Sequence, residues 1–490
     1  MVVFILFYKE RRALSCTKHL WIGGAWRETE AYVELRAPYD GALLAEIADA
    51  APEDVDAAIG SAARAAAAMR ALPAHRRSAI LERLSELLAS RRDEAARIVA
   101  QEAAKPLKAA YAEIDRTVLT YKFAAEEAKR IGGETLPMDA APGGEGRLAY
   151  TRREPIGVVG AITPFNFPMN LVAHKVGPAL AAGNAVVLKP APQTPLSAFY
   201  ISELLAEAGL PDGALNIVTG DGKRVGEQIV GDRRVGAISF TGSAAVGAAI
   251  KAQAGLKRVT LELGSNSAVI VDDDADIAAV ARRCAEGGFG YQGQVCISLQ
   301  RVYAMTAVAD ELAARIADAA SKLVVGDPLD PDTDISAMIN PREVERAAGW
   351  IDEAVVRGAT LLAGGEAHGG VLAPTVLTGV PDDAMLSRRE AFAPVVLVNK
   401  VNTIAEAIAR ANDSDYGLQV GIYTNRLDTA LHAAETLEAG SVLINDIPTY
   451  RLDHMPYGGI KESGLGREGV RYAIEELTEL KLVIWRTPAQ

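Results

Sequence analysis

The chain has 490 residues, enough for two or three domains rather than one core. Hydrophobic residues make up 49% and charged residues 23%, the balance of a soluble globular protein, and a net charge of −12 argues against nucleic acid or an anionic membrane as the main partner. Three cysteines with no C-x-x-C and six scattered histidines with no H-E-x-x-H leave neither a disulfide framework nor a metal site to expect.

The chain begins "MVVFILFYKERRALSCTKHLWIGGAW". The apolar run Val2–Tyr8 is too short to span a bilayer. A secretory signal would put its basic residues first, whereas Lys9, Arg11 and Arg12 follow the run, so residues 1–18 read as an extension of a cytoplasmic protein. From Pro52 to Ile131 the pattern is helical. "PEDVDAAIGSAARAAAAMRAL" is Ala-rich, with Val, Ile and Met recurring at helical spacing. Gly132 and Gly133 close this region, and "APGGEGRLAYTRREP" follows as a turn-rich, strand-like arm.

The rhythm then changes. "IGVVGAI", "NAVVLKP", "ALNIVTG", "VGAISFTG" and "RVTLELG" alternate with predicted helices over 196–209, from about 223 and from 244. Strands this apolar, each followed by a helix, predict a doubly wound parallel α/β sheet of the dinucleotide-binding type. A second α/β series runs from about 266 to 450 through "SAVIV", "RVYAM", "ATLLAG", "PVVLVNKV", "LQVGIYT" and "SVLIND". The tail "EELTELKLVIW" ends in a strand-like run suited to pairing with another subunit.

Five stretches carry candidate chemistry. "FTGSAAVG" is strand, turn and helix; Gly242 and Gly247 frame a place where backbone N–H groups could face a pyrophosphate, or simply a tight turn. It is neither G-x-G-x-x-G nor a P-loop, since Ala248 and Ala249 stand where Lys and Ser/Thr would be required. "VVLKPAPQTPL" puts Lys189 at a strand end, either a ribose or phosphate ligand or a snorkelling lysine. "TPFNFPMN" holds Asn166 just after a strand, as an oxyanion donor or a turn cap. "TLELGSNSAVIV" sets Glu262 between leucines, where burial raises a carboxyl toward the range of a useful base. "GYQGQVCISLQRV" sets Cys296 in an apolar run, as a small buried hydrophobe or a nucleophile; no Lys, Arg or His lies within four residues to activate it.

Taken in order, Asn166, Lys189, "FTGS", "LELG", "GQVC", "EAFAP" and "PYGGIKESGLGREG" resemble the aldehyde dehydrogenase superfamily, and the match runs from about Leu20 to Trp485. The resemblance implies two doubly wound α/β domains and a small β arm: dinucleotide binding over 19–137 and 157–265, catalysis over 266–465, and oligomerisation to a homodimer or homotetramer through 138–156 and 466–490. It implies NAD(P)-dependent oxidation of an aldehyde to an acid. Cys296 would attack the carbonyl, Asn166 and the Cys296 N–H would hold the oxyanion, and Glu262 would activate the water that hydrolyses the thioester. Gly293 would free the cysteine loop to approach the cofactor. The cofactor residues implied are Thr163, Pro164, Phe165, Lys189, Ala191, Gly222, Gly226, Phe240, Thr241, Gly242, Ser243, Val246, Leu263, Gly264, Glu390 and Phe392. Ser265 and Ala393 stand where the family usually shows glycine, which bears on local backbone and carboxylate mobility rather than on the reaction class.

Many NAD-preferring relatives carry a Glu three residues after this lysine, and here that place is Pro192. A 2′-phosphate would meet no like charge there and could pair with Lys189, so NADP should be accepted, with NAD also usable. "INDIPTYRLDHMPYGG" resembles the corresponding loop of lactaldehyde-, glyceraldehyde-3-phosphate- and phosphonoacetaldehyde-type members. Arg451 in that loop and Arg116 in "EIDRTV" are candidates to hold an anionic substrate tail together; the plainer roles are a loop salt bridge and helix packing. The competing reading is a coenzyme A-acylating relative, a kind that tends to lack the Glu found here at 262.

Overall fold

The computed structural model describes residues 16–486. The N-terminal extension expected over 1–18 lies outside them up to residue 15. Its last residues, Cys16–Lys18, form a strand paired in parallel with Leu43–Ala48, so they belong to the fold.

Four helices follow: Pro52–Ala71, Ala74–Ser90, Arg92–Ala103 and Leu107–Glu127. They pack around an eight-stranded sheet. Its five central strands are parallel, in the spatial order Arg258–Glu262, Ala237–Thr241, Val158–Ile162, Ala185–Lys189, Leu215–Ile217. Side chains alternate across it. Val159, Ala161, Val186 and Leu188 enter one core with the helices on that face, while Val158, Ile162, Ala185 and Val187 enter a second core on the other. Burial on both faces is why these strands read as unbroken apolar runs.

The chain runs from Val158–Ile162 outward through Ala185–Lys189 to Leu215–Ile217, then returns to lay Ala237–Thr241 on the other side of the starting strand. The order therefore reverses between Val158–Ile162 and Ala237–Thr241, and the crevice at their carboxyl ends is where open α/β sheets take ligands.

A second, seven-stranded sheet runs Thr360–Ala363, Thr375–Thr378, Val395–Val401, Arg301–Met305, Ala268–Val271, Gln419–Tyr423, Ser441–Ile444, parallel except at the first strand. Thr478–Arg486 pairs antiparallel with Arg147–Pro155 along nine residues, and Thr135–Leu136 completes that small sheet. Two boundaries differ from expectation. Thr135–Leu136 joins the arm rather than the segment ending at 137, and Gly464–Leu465 leaves the second α/β region to pair with Leu261 and Glu262 at the edge of the first sheet. Backbone hydrogen bonding, which strands of two residues do not announce by pattern, decides both. No helix among the described residues is long and apolar enough to cross a membrane.

Candidate active site

Strand ends and the loops beyond them bring many of the predicted residues to one crevice, though Glu262 is not part of its wall. Beyond Val158–Ile162 the chain turns through Thr163–Asn166, whose first N–H donates to the Lys189 carbonyl (3.1 Å). Beyond Ala237–Thr241 it turns at Gly242, whose N–H donates to the Glu262 carbonyl (3.0 Å), and enters the helix Ala244–Gln253. Ser243 at that helix start makes no side-chain cap, so the first N–H groups stay open to an anion. Gly247 lets the helix settle on Leu263: a Cβ there would lie 2.5 Å from the leucine.

The cysteine loop enters from the second α/β region. After the helix Ile277–Phe289 come Tyr291 (φ +49°), Gln292 (φ +53°) and Gly293 (φ +66°), three successive left-handed residues. For the two non-glycines this conformation is costly and needs outside support. The Tyr291 hydroxyl donates to the Ala103 carbonyl (3.1 Å), and the Gln292 amide donates to those of Ala104 (3.0 Å) and Ala337 (2.8 Å). Gly293 does not supply freedom, as its sequence suggested. A Cβ there would stand 2.1 Å from the Ala393 carbonyl oxygen, so the glycine permits close backbone packing.

Cys296 and Asn166 both line a cleft of about 1100 Å³. The Asn166 amide donates one N–H to the Gln294 carbonyl (2.9 Å), which ties it to the cysteine loop, while its oxygen has no hydrogen-bond partner among the described residues. The Cys296 sulfur lies 2.9 Å from the Tyr457 hydroxyl. Burial pushes the thiol up to about 11, against the opposing pull of Tyr457 and Arg451. Glu262 is 3% exposed, and neither carboxylate oxygen has a hydrogen-bond partner among the described residues. Burial first, then the like charge of Glu468, raises its pKa well above the ordinary value.

Behind these three lies a buried polar network. Lys175 holds Glu468 at 2.7 Å and donates to Thr241 at 2.8 Å. Burial opposes the Glu468 charge, but Lys175, His174 and Arg451 hold its carboxyl down to about 2. Arg451 reaches Glu468 at 3.4 Å and His174 at 3.2 Å, and its Nε has no partner among the described residues. Arg116 grips Asp453 with both arms (3.1 and 2.7 Å), and His174 and Asn170 bind the same carboxylate. The two arginines expected to clamp an anion thus each already face a carboxylate, and neither forms the wall of the cleft. Tyr457, Lys175, Glu468, His174 and Asp453 escaped the sequence reading. The available signal was His174–Lys175, a polar pair inside the otherwise apolar helix Asn170–Ala182.

Of the expected cofactor residues, Pro164, Phe165, Thr241, Gly242, Ser243, Leu263, Gly264, Glu390 and Phe392 line the same cleft. Glu390 accepts from the Ser265 N–H (2.9 Å) and presses on Gly264, where a Cβ would lie 2.3 Å from its oxygen. Burial raises its carboxyl to about 7, against that N–H and Arg346. Phe392 meets Phe165 edge-on at 5.8 Å. Lys189 is buried and donates to the Pro190 carbonyl (3.2 Å), with no ion-pair partner within 4 Å among the described residues; burial lowers its pKa to about 8, against Asp221. Lys189 itself, with Thr163, Ala191, Gly222, Gly226, Phe240 and Val246, stands outside the wall, Val246 half exposed on its helix.

A model described as the aldehyde dehydrogenase family matches residues 26–483. The chain is 46% identical over 465 residues to the 3-sulfolactaldehyde dehydrogenase of Priestia aryabhattai, covering 95% of this chain and 97% of that one. It superposes with a TM-score of 0.94 and 38% identity on aldehyde dehydrogenase 21 of Physcomitrella patens in complex with the reaction product succinate, covering 97% and 99% of the two chains. It also superposes with a TM-score of 0.94 and 37% identity on the NADP-dependent glyceraldehyde-3-phosphate dehydrogenase of Bacillus halodurans complexed with NADP, covering 96% and 100%.

Proposed function

The chain belongs to the aldehyde dehydrogenase family, oxidoreductases acting on aldehydes, and on that premise we propose that it oxidises a small hydrophilic, anionic aldehyde to the carboxylic acid through a Cys296 thioester, with NADP or NAD. The residues present fit such a cofactor. An open helix start at Ser243 and the carboxylate of Glu390 against Gly264 line one cleft, and the buried Lys189 stands at the end of a neighbouring strand of the same sheet with no ion-pair partner among the described residues. When bound, the nicotinamide supplies the acceptor for the hydride.

The chain's own residues do the rest. The Cys296 thiolate attacks the carbonyl carbon, and the electron pair moves to the oxygen. The second N–H of the Asn166 amide, the one not given to Gln294, and the Cys296 N–H receive that oxyanion. Loss of hydride from carbon leaves the thioester. Glu262 takes a proton from water, whose oxygen attacks the thioester and releases the acid. The observation that carries this reading is Glu262: a buried carboxylate with both oxygens unpartnered among the described residues is costly unless it works on something that arrives. It also favours water over coenzyme A as the acceptor.

For the anionic tail, Arg451 is the stronger candidate because its Nε has no partner among the described residues and its bond to Glu468 is long; Arg116 would have to yield one arm of its fork. The sulfolactaldehyde relative and the succinate-bound neighbour support a negatively charged substrate. The half-exposed Leu480, Leu482, Ile484 and Trp485 on Thr478–Arg486 support assembly through that strand, as a homodimer or homotetramer. A panel of small aldehydes tests the substrate class. Sulfo-, phospho- or carboxy-aldehydes should exceed neutral ones of equal length by at least about tenfold in kcat/KM, with the advantage lost in Arg451→Ala; equal rates for neutral aldehydes would defeat it.

A further inference from the structure

Among the described residues, Cys296 has no Lys, Arg or His in hydrogen-bonding contact. The charged groups that face it are Glu390, from the loop after the helix Met385–Arg388, Glu262, at the end of Arg258–Glu262, and Arg451. The two carboxylates disfavour a thiolate and only Arg451 favours it, from across the ring of Tyr457. That ring is 2% exposed, and the guanidinium lies 3.5 Å from its centroid. The Tyr457 backbone is pinned by reciprocal bonds with Glu468 (3.0 and 2.7 Å), so the hydroxyl is held against the sulfur at 2.9 Å by a rigid frame. A phenol can donate or accept; a cation over its ring makes it the better donor, and toward a thiolate, which has no proton to give, it can only donate.

We propose that the Tyr457 hydroxyl, backed by Arg451, is the hydrogen-bond donor that keeps Cys296 as the attacking thiolate. The inference rests on Cys296 being the nucleophile. No proton leaves the tyrosine: as the S–C bond forms, the charge passes from sulfur to the carbonyl oxygen, where Asn166 takes over, and the Tyr457 bond weakens. A donor to the charged form favours that form, so its removal raises the pH at which the thiol ionises.

The test is the alkylation rate of the full-length enzyme by iodoacetamide from about pH 6 to about pH 11, read by mass spectrometry on the Cys296 peptide so that other cysteines do not contribute. Tyr457→Phe should move the inflection, which burial holds at the alkaline end of the range, up by about one pH unit and slow labelling about tenfold at every pH below it. An unchanged inflection in folded Tyr457→Phe would overturn the proposal. Should that variant not fold, Arg451→Gln, which keeps the hydroxyl but removes its cation, must shift the inflection the same way, and an unshifted profile overturns it equally. Cys296→Ala separates the two levels. If that variant still oxidises aldehyde, the reading of the nucleophile is wrong; if it is dead and Tyr457→Phe labels like the parent, only this inference fails.

Discussion

Glu262 and Glu468 are both buried and both acidic, yet their environments drive them apart. Glu468 has Lys175, His174 and Arg451 about it and stays ionised, while Glu262 has no bonded partner and feels Glu468 as a like charge. A base must be ionised to work, so the hydrolytic step should weaken as pH falls through the raised Glu262 value. Glu468→Gln removes a like charge and leaves Lys175 and Arg451 less compensated. Both effects favour ionised Glu262 and should move the acid limb of the kcat profile to lower pH. A limb that stays or moves up would show that Glu262 is not what titrates. At this scale Cys296, Glu262 and Asn166 stood out as candidates because each sits in a short motif with its own chemistry. Tyr457 was not, because its meaning depends on a contact across 161 residues of chain.

The loop that carries Cys296 is held by its neighbours rather than by its own conformational preference. Lys105, fully buried, pairs with Glu113 and lies 3.6 Å from the Phe167 ring centroid and 4.2 Å from that of Tyr291. Glu113 in turn accepts the N–H groups of Met169 (2.9 Å) and Asn170 (3.1 Å). One ion pair thereby joins the loop of Asn166 to the loop of Cys296. Gly293 is where this arrangement is least tolerant. Gly293→Ala would place a methyl against the Ala393 carbonyl at positive φ, and the resulting shift of the nucleophile should lower kcat about 100-fold while the cofactor still binds. Near-normal kcat would mean the loop adjusts without moving Cys296. Helices such as Pro195–Glu207 and Ala244–Gln253 were legible from periodicity and position. The two-residue strand Gly464–Leu465 and the left-handed run at 291–293 were not, since both are imposed by partners distant in sequence.

Two α/β sheets meet over one cleft, with the proposed dinucleotide site at the carboxyl ends of the first and the proposed nucleophile delivered from the second. Buried parallel strands announce themselves as apolar runs, so the fold class was readable throughout; the edges of the sheets, where pairing rather than composition decides, were not. At the strand end proposed to meet the adenosine ribose, Lys189 is a cation without an ion-pair partner among the described residues, and Pro192 presents no carboxylate. kcat/KM with NADP should therefore at least equal that with NAD, and Lys189→Gln should cost NADP more than NAD. A preference for NAD above about 100-fold, ~2.7 kcal/mol, would contradict this account of the pocket.

The most direct measurement is intact-mass spectrometry of Glu262→Gln mixed with NADP and an oxidisable anionic aldehyde. The expected result is one covalent adduct, heavier by the aldehyde less two hydrogens and mapping to Cys296, formed together with one equivalent of NADPH per subunit and decaying slowly. Sustained turnover at the parental rate with no adduct, or an adduct on another residue, would contradict a thioester on Cys296 hydrolysed through Glu262.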